Sequence, residues 1–174
     1  MASTRKAVLV VVLGLALGLT GCSSPTQEAR SLATAGLRDE YATLKSVTHG
    51  LASTSTSPAN ALSRAEHGDL GIVWPNPVDA GTALPGPTFR AIYDLSADAR
   101  TIQFSSVLAA TGETGGGFTS GQASVYLCVK FSATVPSSSP LVEKTVKCRA
   151  DLSALLKTRS GNELLPSSTL QYDH

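Results

Sequence analysis

The chain shows three hydrophobic patterns in succession, and each is typical of a different kind of structure. An unbroken apolar run covers residues 7–19, directly after Arg5 and Lys6. Apolar residues then recur at steps of three and four over residues 25–47, and from Thr88 they alternate with polar residues. The first period is that of one helix face, and the second is that of a half-buried strand. The sequence therefore predicts a short apolar leader, then helices, then a sheet.

Two helices are predicted ahead of the sheet. The first covers about residues 25–47, with Ser24 as its N-cap. We expect its apolar stripe to pack on the same domain; docking on a partner or on a membrane surface is the alternative, although its polar face is mixed in charge. A polar connector, residues 48–57, leads to a short second helix that is capped by Ser57 and stopped by Gly68. The stripe of the first helix consists of Leu32, Ala33, Leu37, Tyr41 and Leu44.

Four segments of strand type follow, and they begin at Thr88, Thr101, Ala123 and Leu141. The connections between them are too short for the crossover helix that parallel neighbours need, so the pattern predicts a four-stranded antiparallel meander. Residues 71–74 are typical of one more short strand, and Asp151 is expected to cap a short helix after the last one. The predicted fold class is therefore α+β, with N-terminal helices packed on the four-stranded sheet in one domain over residues 25–174.

The apolar leader ends in a motif that resembles a known signal. It has about thirteen residues where a membrane span needs about 20, so it is typical of a cleaved secretory signal rather than of a transmembrane anchor. Its end, Leu19-Thr20-Gly21-Cys22, resembles the lipobox of bacterial lipoproteins. The resemblance implies cleavage of residues 1–21, a diacylglycerol on the sulfur of Cys22, and a further acyl chain such as palmitate on the new amino group.

Residues 22–24 would then form a lipid-anchored start. Two or three acyl chains make a stable anchor, whereas one chain binds only marginally. We therefore expect the mature protein on the extracytoplasmic face of the cell membrane. An ordinary secreted protein with an unmodified Cys22 is the alternative.

The charge of the mature chain gives no reason to expect nucleic acid as a partner. Loss of the leader removes Arg5 and Lys6 and leaves twelve basic residues against thirteen acidic ones, a net charge near −1. Aromatic residues make up 5% of the whole chain, so we expect a modest core of aliphatic side chains.

Once the lipobox claims Cys22, Cys128 and Cys148 remain as a pair. In an oxidising compartment such a pair most often forms a disulfide. The two cysteines are equidistant from Ser138, so a symmetric last hairpin would place them directly opposite each other.

That register also puts Lys147 opposite Val129 and Arg149 opposite Leu127, a conflict that disappears only if the strand over residues 123–133 is central and apolar on both faces. The strand over residues 141–150 would then be an edge, with Val142, Val146 and Cys148 turned inward and its charged residues turned to water.

The chain lacks the common catalytic signatures. It has no G-x-S-x-G, H-E-x-x-H or Walker motif in the mature part, and we predict no catalytic residue, no metal ligand and no cofactor. None of His49, His67 and His174 belongs to a recognisable nucleophile–base motif. The glycine-rich loop over residues 111–121 lies between two strands, where a hairpin connection is favoured over a phosphate cradle.

Two aromatic residues are candidates for contact with a partner or ligand. Trp74, beside Pro75, is the first, because an amphipathic aromatic at the edge of a loop is a common anchor; covering the core is its alternative role. Tyr41 on the first helix is the second.

The absence of catalytic motifs favours a non-enzymatic binding or interaction module of the cell envelope, with an envelope protein as partner. One alternative is a small-molecule or lipid carrier, with an apolar cavity lined by residues such as Leu37, Tyr41, Phe89 and Phe104. The other is an envelope hydrolase, in which His49 or His67 is buried in a cleft beside a carboxylate.

Overall fold

A computed structural model describes residues 24–115, 120–136, 139–160 and 163–165. The predicted signal peptide, Cys22 and His174 lie outside the described residues. The elements, in chain order, are α1 (Pro25–Thr54), α2 (Pro58–Glu66), β1 (Ile72–Val73), β2 (Thr88–Ala97), β3 (Thr101–Thr114), β4 (Gly121–Thr134), β5 (Val142–Thr145), α3 (Ala150–Ser160) and β6 (Glu163–Leu164). The fold is α+β, as predicted.

The strands form one mixed sheet in the order β1-β2-β3-β4-β5, with β6 also paired to β4. The path from β2 to β5 is antiparallel, but β1 runs parallel to β2 and β6 runs parallel to β4. The prediction of a four-stranded antiparallel sheet is therefore wrong. The added strands reach the sheet through the long segment 74–87 and through α3, and connections of that length allow parallel pairing.

Apolar side chains cover both faces of the sheet and give the protein three layers. α1 and α2 pack on one face, over a cluster that we call the helix-side core. α3 and residues 74–84 pack on the other face, over the disulfide-side core. Strand β4 serves both, because its neighbours Leu127 and Cys128 are fully buried on opposite faces. The expectation that this strand is central and apolar on both faces is confirmed.

The helix-side core is built mainly from large aliphatic and aromatic residues, among them Leu37, Leu44, Ile92, Ile102, Phe104, Leu108, Leu127, Val129 and Phe131. The disulfide-side core includes Trp74, Val78, Phe89, Tyr93, Val107, Tyr126, Cys128, Cys148, Leu152 and Leu156.

Helix α1 is longer than the pattern predicted. Ser24 caps its start by accepting a hydrogen bond from the Gln27 amide at 3.3 Å, as expected. It continues through residues 48–54, which the prediction assigned to the connector, because Thr48, Leu51 and Ala52 extend the buried stripe. Burial of those side chains outweighs the unfavourable helix propensity of Gly50. Leu32, expected in the stripe, is instead 50% exposed.

Two glycines let the N-terminal end of α1 lie directly on the sheet. A Cβ atom on Gly112 would overlap the carbonyl oxygen of Ala29, and one on Gly121 would overlap the backbone of Pro25. The Thr114 hydroxyl also donates to the Pro25 carbonyl oxygen at 2.7 Å. The start of α1 is therefore fixed to the end of the β3–β4 hairpin.

A β-bulge in β2 changes which face its side chains cover. The β2–β3 register shifts between Tyr93 and Ser96, and Asp94 has a φ of 52°. In a strand without a bulge, strict alternation would place Leu95 on the same face as Tyr93. The extra residue reverses that parity, and Leu95 packs against the helix-side core while Tyr93 stays on the opposite face.

The predicted disulfide between Cys128 and Cys148 is confirmed, with a Cα–Cα distance of 5.3 Å. The register predicted for this hairpin is wrong. Val129 pairs with Thr145, and the Val146 amide donates to the Cys128 carbonyl, so the strands are displaced by two residues from the symmetric pairing. Because β5 ends at Thr145, the bond joins β4 to the segment that leads into α3. The prediction that Val142 turns inward is also wrong, since its side chain is 68% exposed.

Candidate functional site

The C-terminal half of α1 forms one side of an open cleft of about 410 Å³. The end of α2 and the turn that follows it form the other side. The residues that line the cleft are Val47, Gly50, Leu51, Thr54, Arg64 and Asp69. A cleft of this size, with an apolar floor and a few polar groups, is the usual form of a small binding site.

Arg64 is the cation of this cleft. Its Nε donates to Asp69 Oδ2 at 2.8 Å, and its Nη1 donates to Thr54 Oγ1 at 2.9 Å. The Arg64–Asp69 pair has both side chains about two-fifths exposed, at 38% and 41%. An ion pair with that exposure contributes about 1 kcal/mol or less, so an incoming carboxylate can exchange with Asp69 at little cost.

Gly50 leaves the middle of the cleft open. A Cβ atom at this position would meet no heavy atom within 4 Å. The helix therefore carries a residue of poor helix propensity at a position that lines the cleft.

The sequence prediction missed this cleft because it ended α1 before Gly50. A signal for the longer helix was present, since Thr48 and Leu51 follow Leu44 at steps of four and three. The relation between Arg64 and Thr54 depends on the turn between the two helices and has no counterpart in sequence spacing.

Tyr41 lies halfway along α1 in a small polar cluster with Lys45 and Glu143. The Lys45 Nζ lies 3.1 Å from Glu143 Oε1 and 5.5 Å from the centre of the Tyr41 ring. Burial raises the pKa of Tyr41, and its hydrogen bond to Glu143 raises it further. The ring also approaches Phe131, with centroids 6.3 Å apart, so Tyr41 joins α1 to β4 and β5.

Trp74 is 6% exposed and its ring lies 5.7 Å from that of Phe89. Little of its surface is available to a partner in this structure. Its amide donates to the Ile92 carbonyl at 2.9 Å, so the backbone of residue 74 is tied to β2 as well.

The segment after Trp74 is held by a charged network at the start of α3. Arg149 binds Asp151 through two parallel hydrogen bonds of 2.7 and 2.9 Å and lies 3.3 Å from Asp94. Asp151 also accepts the Val78 amide at 2.8 Å, and Asn76 donates to Asp94 at 3.0 Å. The network therefore joins the 74–78 segment, the bulge of β2 and α3.

The charges of this network shift the pKa values of its members. The hydrogen bonds from Arg149 hold the pKa of Asp151 at about 2. The same pairing raises the pKa of Arg149. Burial, with the charge of Asp94, raises the pKa of Tyr93 to about 12. All three groups keep their ordinary neutral-pH charge, which fits a structural network better than proton transfer.

Neither the histidine cleft expected of a hydrolase nor the apolar cavity expected of a carrier is formed by the residues named for it. His49 and His67 are exposed, and the His67 ring lies 2.6 Å from the Ser63 carbonyl of its own helix. Leu37 and Phe104 are packed in the helix-side core, whereas Phe89 is on the other side of the sheet. These residues therefore line neither one cavity nor a histidine–carboxylate cleft.

The described part of the chain contains no group of three or more histidine, cysteine or acidic residues able to hold a metal ion. Among the same residues, no helix has the length and apolar character needed to cross a membrane.

No protein-family model, curated protein or solved structure matches this chain in comparisons of sequence and fold.

Proposed function

We propose that this chain is a lipid-anchored binding module of the cell envelope, without enzymatic activity, that engages an envelope protein through the cleft between α1 and α2. The observation that carries the proposal is the position of α1. The helix begins three residues after Cys22, the expected acylation site, and its opposite end lines the cleft. One rigid element thus joins the expected membrane anchor to the candidate binding surface.

The chemistry of the cleft favours a protein segment that presents an apolar side chain next to a carboxylate. Val47 and Leu51 offer an apolar floor, and the space above Gly50 admits a side chain. Arg64 offers a guanidinium whose bond to Asp69 is exposed and weak. Arginine suits this role, because its planar fork binds carboxylates with two hydrogen bonds.

Photo-crosslinking in cells tests this surface. A photoreactive phenylalanine analogue in place of Asp69, which lines the cleft and is exposed, should crosslink to one dominant envelope protein, identified by mass spectrometry. The matched control carries the same analogue at Thr43, an exposed position on α1 outside the cleft, and should give little of that product. Equal crosslinking from both positions, or none from position 69, would contradict the cleft as the binding surface.

Filling the cleft supplies an independent test. Gly50→Leu has room for its side chain and improves the helix, so the fold should be kept. We expect this variant to lose the partner in co-purification, whereas Thr43→Leu keeps it. Normal partner recovery with Gly50→Leu would count against the proposal.

The anchor has its own test. Cys22→Ala should remove the added mass of the lipid and prevent cleavage of the signal, so the protein stays unprocessed. Wild-type protein recovered wholly without lipid would end the lipoprotein interpretation.

A further inference from the structure

We infer that the protein stands upright on its membrane, with the N-terminal end of α1 and the adjoining end of the β3–β4 hairpin against the lipid headgroups. This inference rests on the proposed lipid anchor at Cys22 and adds which surface meets the bilayer. It also gives the height at which the cleft is held.

The link between Cys22 and α1 is short. Three residue steps separate Cys22 from Pro25, and each spans at most about 3.3–3.6 Å. The start of α1 therefore lies within roughly 10 Å of the acylated cysteine. A flexible linker, which would let the domain tumble above the membrane, has no room here.

The start of α1 cannot move independently of the domain. The helix backbone is in contact with Gly112 and Gly121, and Thr114 is hydrogen-bonded to Pro25. The exposed residues Glu113, Gly115 and Ser120 belong to the same end of the molecule. Holding Cys22 at the membrane therefore holds this end there too.

The long outward face of α1 offers an apolar contact to lipid only near the anchor. Leu32, Asp39, Ser46 and Ser53 follow at heptad spacing and are all exposed, so they mark one line along this face. Only Leu32 is apolar, and it is nearest the anchor. The face carries no basic stripe that would draw it flat onto anionic lipid, and the mature chain is near neutral. The apolar contact is thus confined to the anchored end.

The rise per residue of an α-helix gives the distance of each of these positions from the start of α1. At about 1.5 Å per residue, positions 32, 39, 46 and 53 lie about 10, 20, 30 and 40 Å along the helix from Pro25. In the upright orientation the cleft, which includes Gly50 and Thr54, is held roughly 40 Å above the anchored end. The partner is then one that reaches well clear of the membrane surface.

Fluorescence quenching on vesicles measures this orientation. The lipidated protein would carry a single new cysteine at one of the four positions: Leu32→Cys, Asp39→Cys, Ser46→Cys or Ser53→Cys. Cys128 and Cys148 are joined in the disulfide and Cys22 is acylated, so only the new thiol takes the dye. The vesicles would be phosphatidylcholine with a fraction of headgroup spin-labelled lipid. We expect strong quenching at position 32, several-fold weaker quenching at 39, and none at 46 or 53.

Val142→Cys is the control for apolar character. Val142 is more exposed than Leu32, but its neighbour Glu143 is paired with Lys45, far along α1 from the anchor. A dye at 142 should remain unquenched. Similar quenching at all positions, or quenching at 142 that equals that at 32, would overturn the upright orientation.

Two further measurements on the same samples, the added mass of the lipid and co-flotation with the vesicles, distinguish failure of the lipid anchor from failure of the upright orientation. Protein that carries lipid and floats with the vesicles, but is quenched equally along α1, overturns the orientation and leaves the anchor intact. Protein that has no lipid and does not float overturns both. Insertion of about ten Gly and Ser residues between Ser23 and Ser24 should abolish the difference between positions 32 and 46, because the link then spans roughly 17 Å. A difference that survives the insertion would show that something other than the short link sets the orientation.

Discussion

The hydroxyl of Tyr126 has no hydrogen-bond partner among the described residues, although its side chain is fully buried in the disulfide-side core. A buried hydroxyl that loses its hydrogen bonds to water costs about 1–3 kcal/mol. Tyr93, on the neighbouring part of the same core, differs in that its hydroxyl is bonded to Ser105 and its ring lies 5.1 Å from the Arg149 guanidinium. At the scale of single residues, the two tyrosines of this layer are thus expected to respond differently to the same change.

Tyr126→Phe should keep or raise the free energy of unfolding, by up to about 1 kcal/mol, because it removes an unsatisfied polar group and keeps the ring. Equilibrium urea denaturation measures the change. Tyr93→Phe is the matched control and should lower stability by about 1 kcal/mol, since it breaks a hydrogen bond. A clear loss of stability in Tyr126→Phe would mean that its hydroxyl has a partner in the native protein.

Helix α1 is the element that organises the molecule. It spans 30 residues, covers the helix-side core and lines the cleft at its far end. Gly112 in β3 and Gly50 in α1 itself differ in the space around them. Gly112 is required because the α1 backbone occupies the place of its side chain, whereas Gly50 has open space around it. The same substitution should therefore have opposite effects at the two positions.

Gly112→Ala should destabilise the protein by about 1–3 kcal/mol or more, because the new methyl group forces α1 away from the sheet. Gly50→Ala should stabilise it by about 0.5–1 kcal/mol through helix propensity. Denaturant midpoints at unchanged slope measure both changes. If Gly112→Ala is neutral, the helix does not lie against β3 as closely as the Gly112–Ala29 contact requires.

At the scale of the whole molecule, Asp151 joins parts of the chain that are distant in sequence. Its carboxylate binds Arg149 and the Val78 amide, and through Arg149 it reaches Asp94 in β2. Its folded-state pKa of about 2 lies below the ordinary aspartate value of about 3.9. A depressed pKa means that the folded state binds the proton less tightly than the unfolded chain. The resulting stabilisation is complete above about pH 4 and is lost as the pH falls through about 2.

We therefore expect the free energy of unfolding to fall between about pH 4 and pH 2, and the fall to be smaller in Asp151→Asn. The variant should also be less stable than wild type at neutral pH. Urea denaturation across this pH range tests both expectations. Asp98→Asn is the control variant. The pKa of Asp98 is also lowered, by hydrogen bonds within the β2–β3 turn. Its side chain, however, is fully exposed and holds no distant segment. Profiles of wild type and Asp151→Asn that run parallel from pH 4 to 2 would contradict the role of Asp151.

The sequence alone was sufficient where the physical cause is local. The caps at Ser24 and Ser57 and the stop at Gly68 depend on residues a few positions apart. The helix expected near Asp151 is present, but the prediction that Asp151 caps it is wrong, because α3 begins at Ala150 and Asp151 lies in its first turn. Strand β4 was predicted to be central from a hairpin register that is wrong, but the conclusion holds because its apolar residues 125–129 are buried on both faces of the sheet. The disulfide followed from there being only one available pair of cysteines once Cys22 was set aside.

Features that depend on distant contacts were decided by the tertiary structure. The parallel strands β1 and β6, the bulge that turns Leu95 to the other face, and the shifted hairpin register each involve a choice of partner that periodicity leaves open. The length of α1 is a different case: Thr48 and Leu51 continue the helical period, but only their burial in the tertiary structure outweighs the cost of Gly50. The cleft arises from that extra length together with the turn into α2. Helix, strand and capping propensities depend on neighbouring residues and can be predicted from them. A site between elements forms only when those elements pack together.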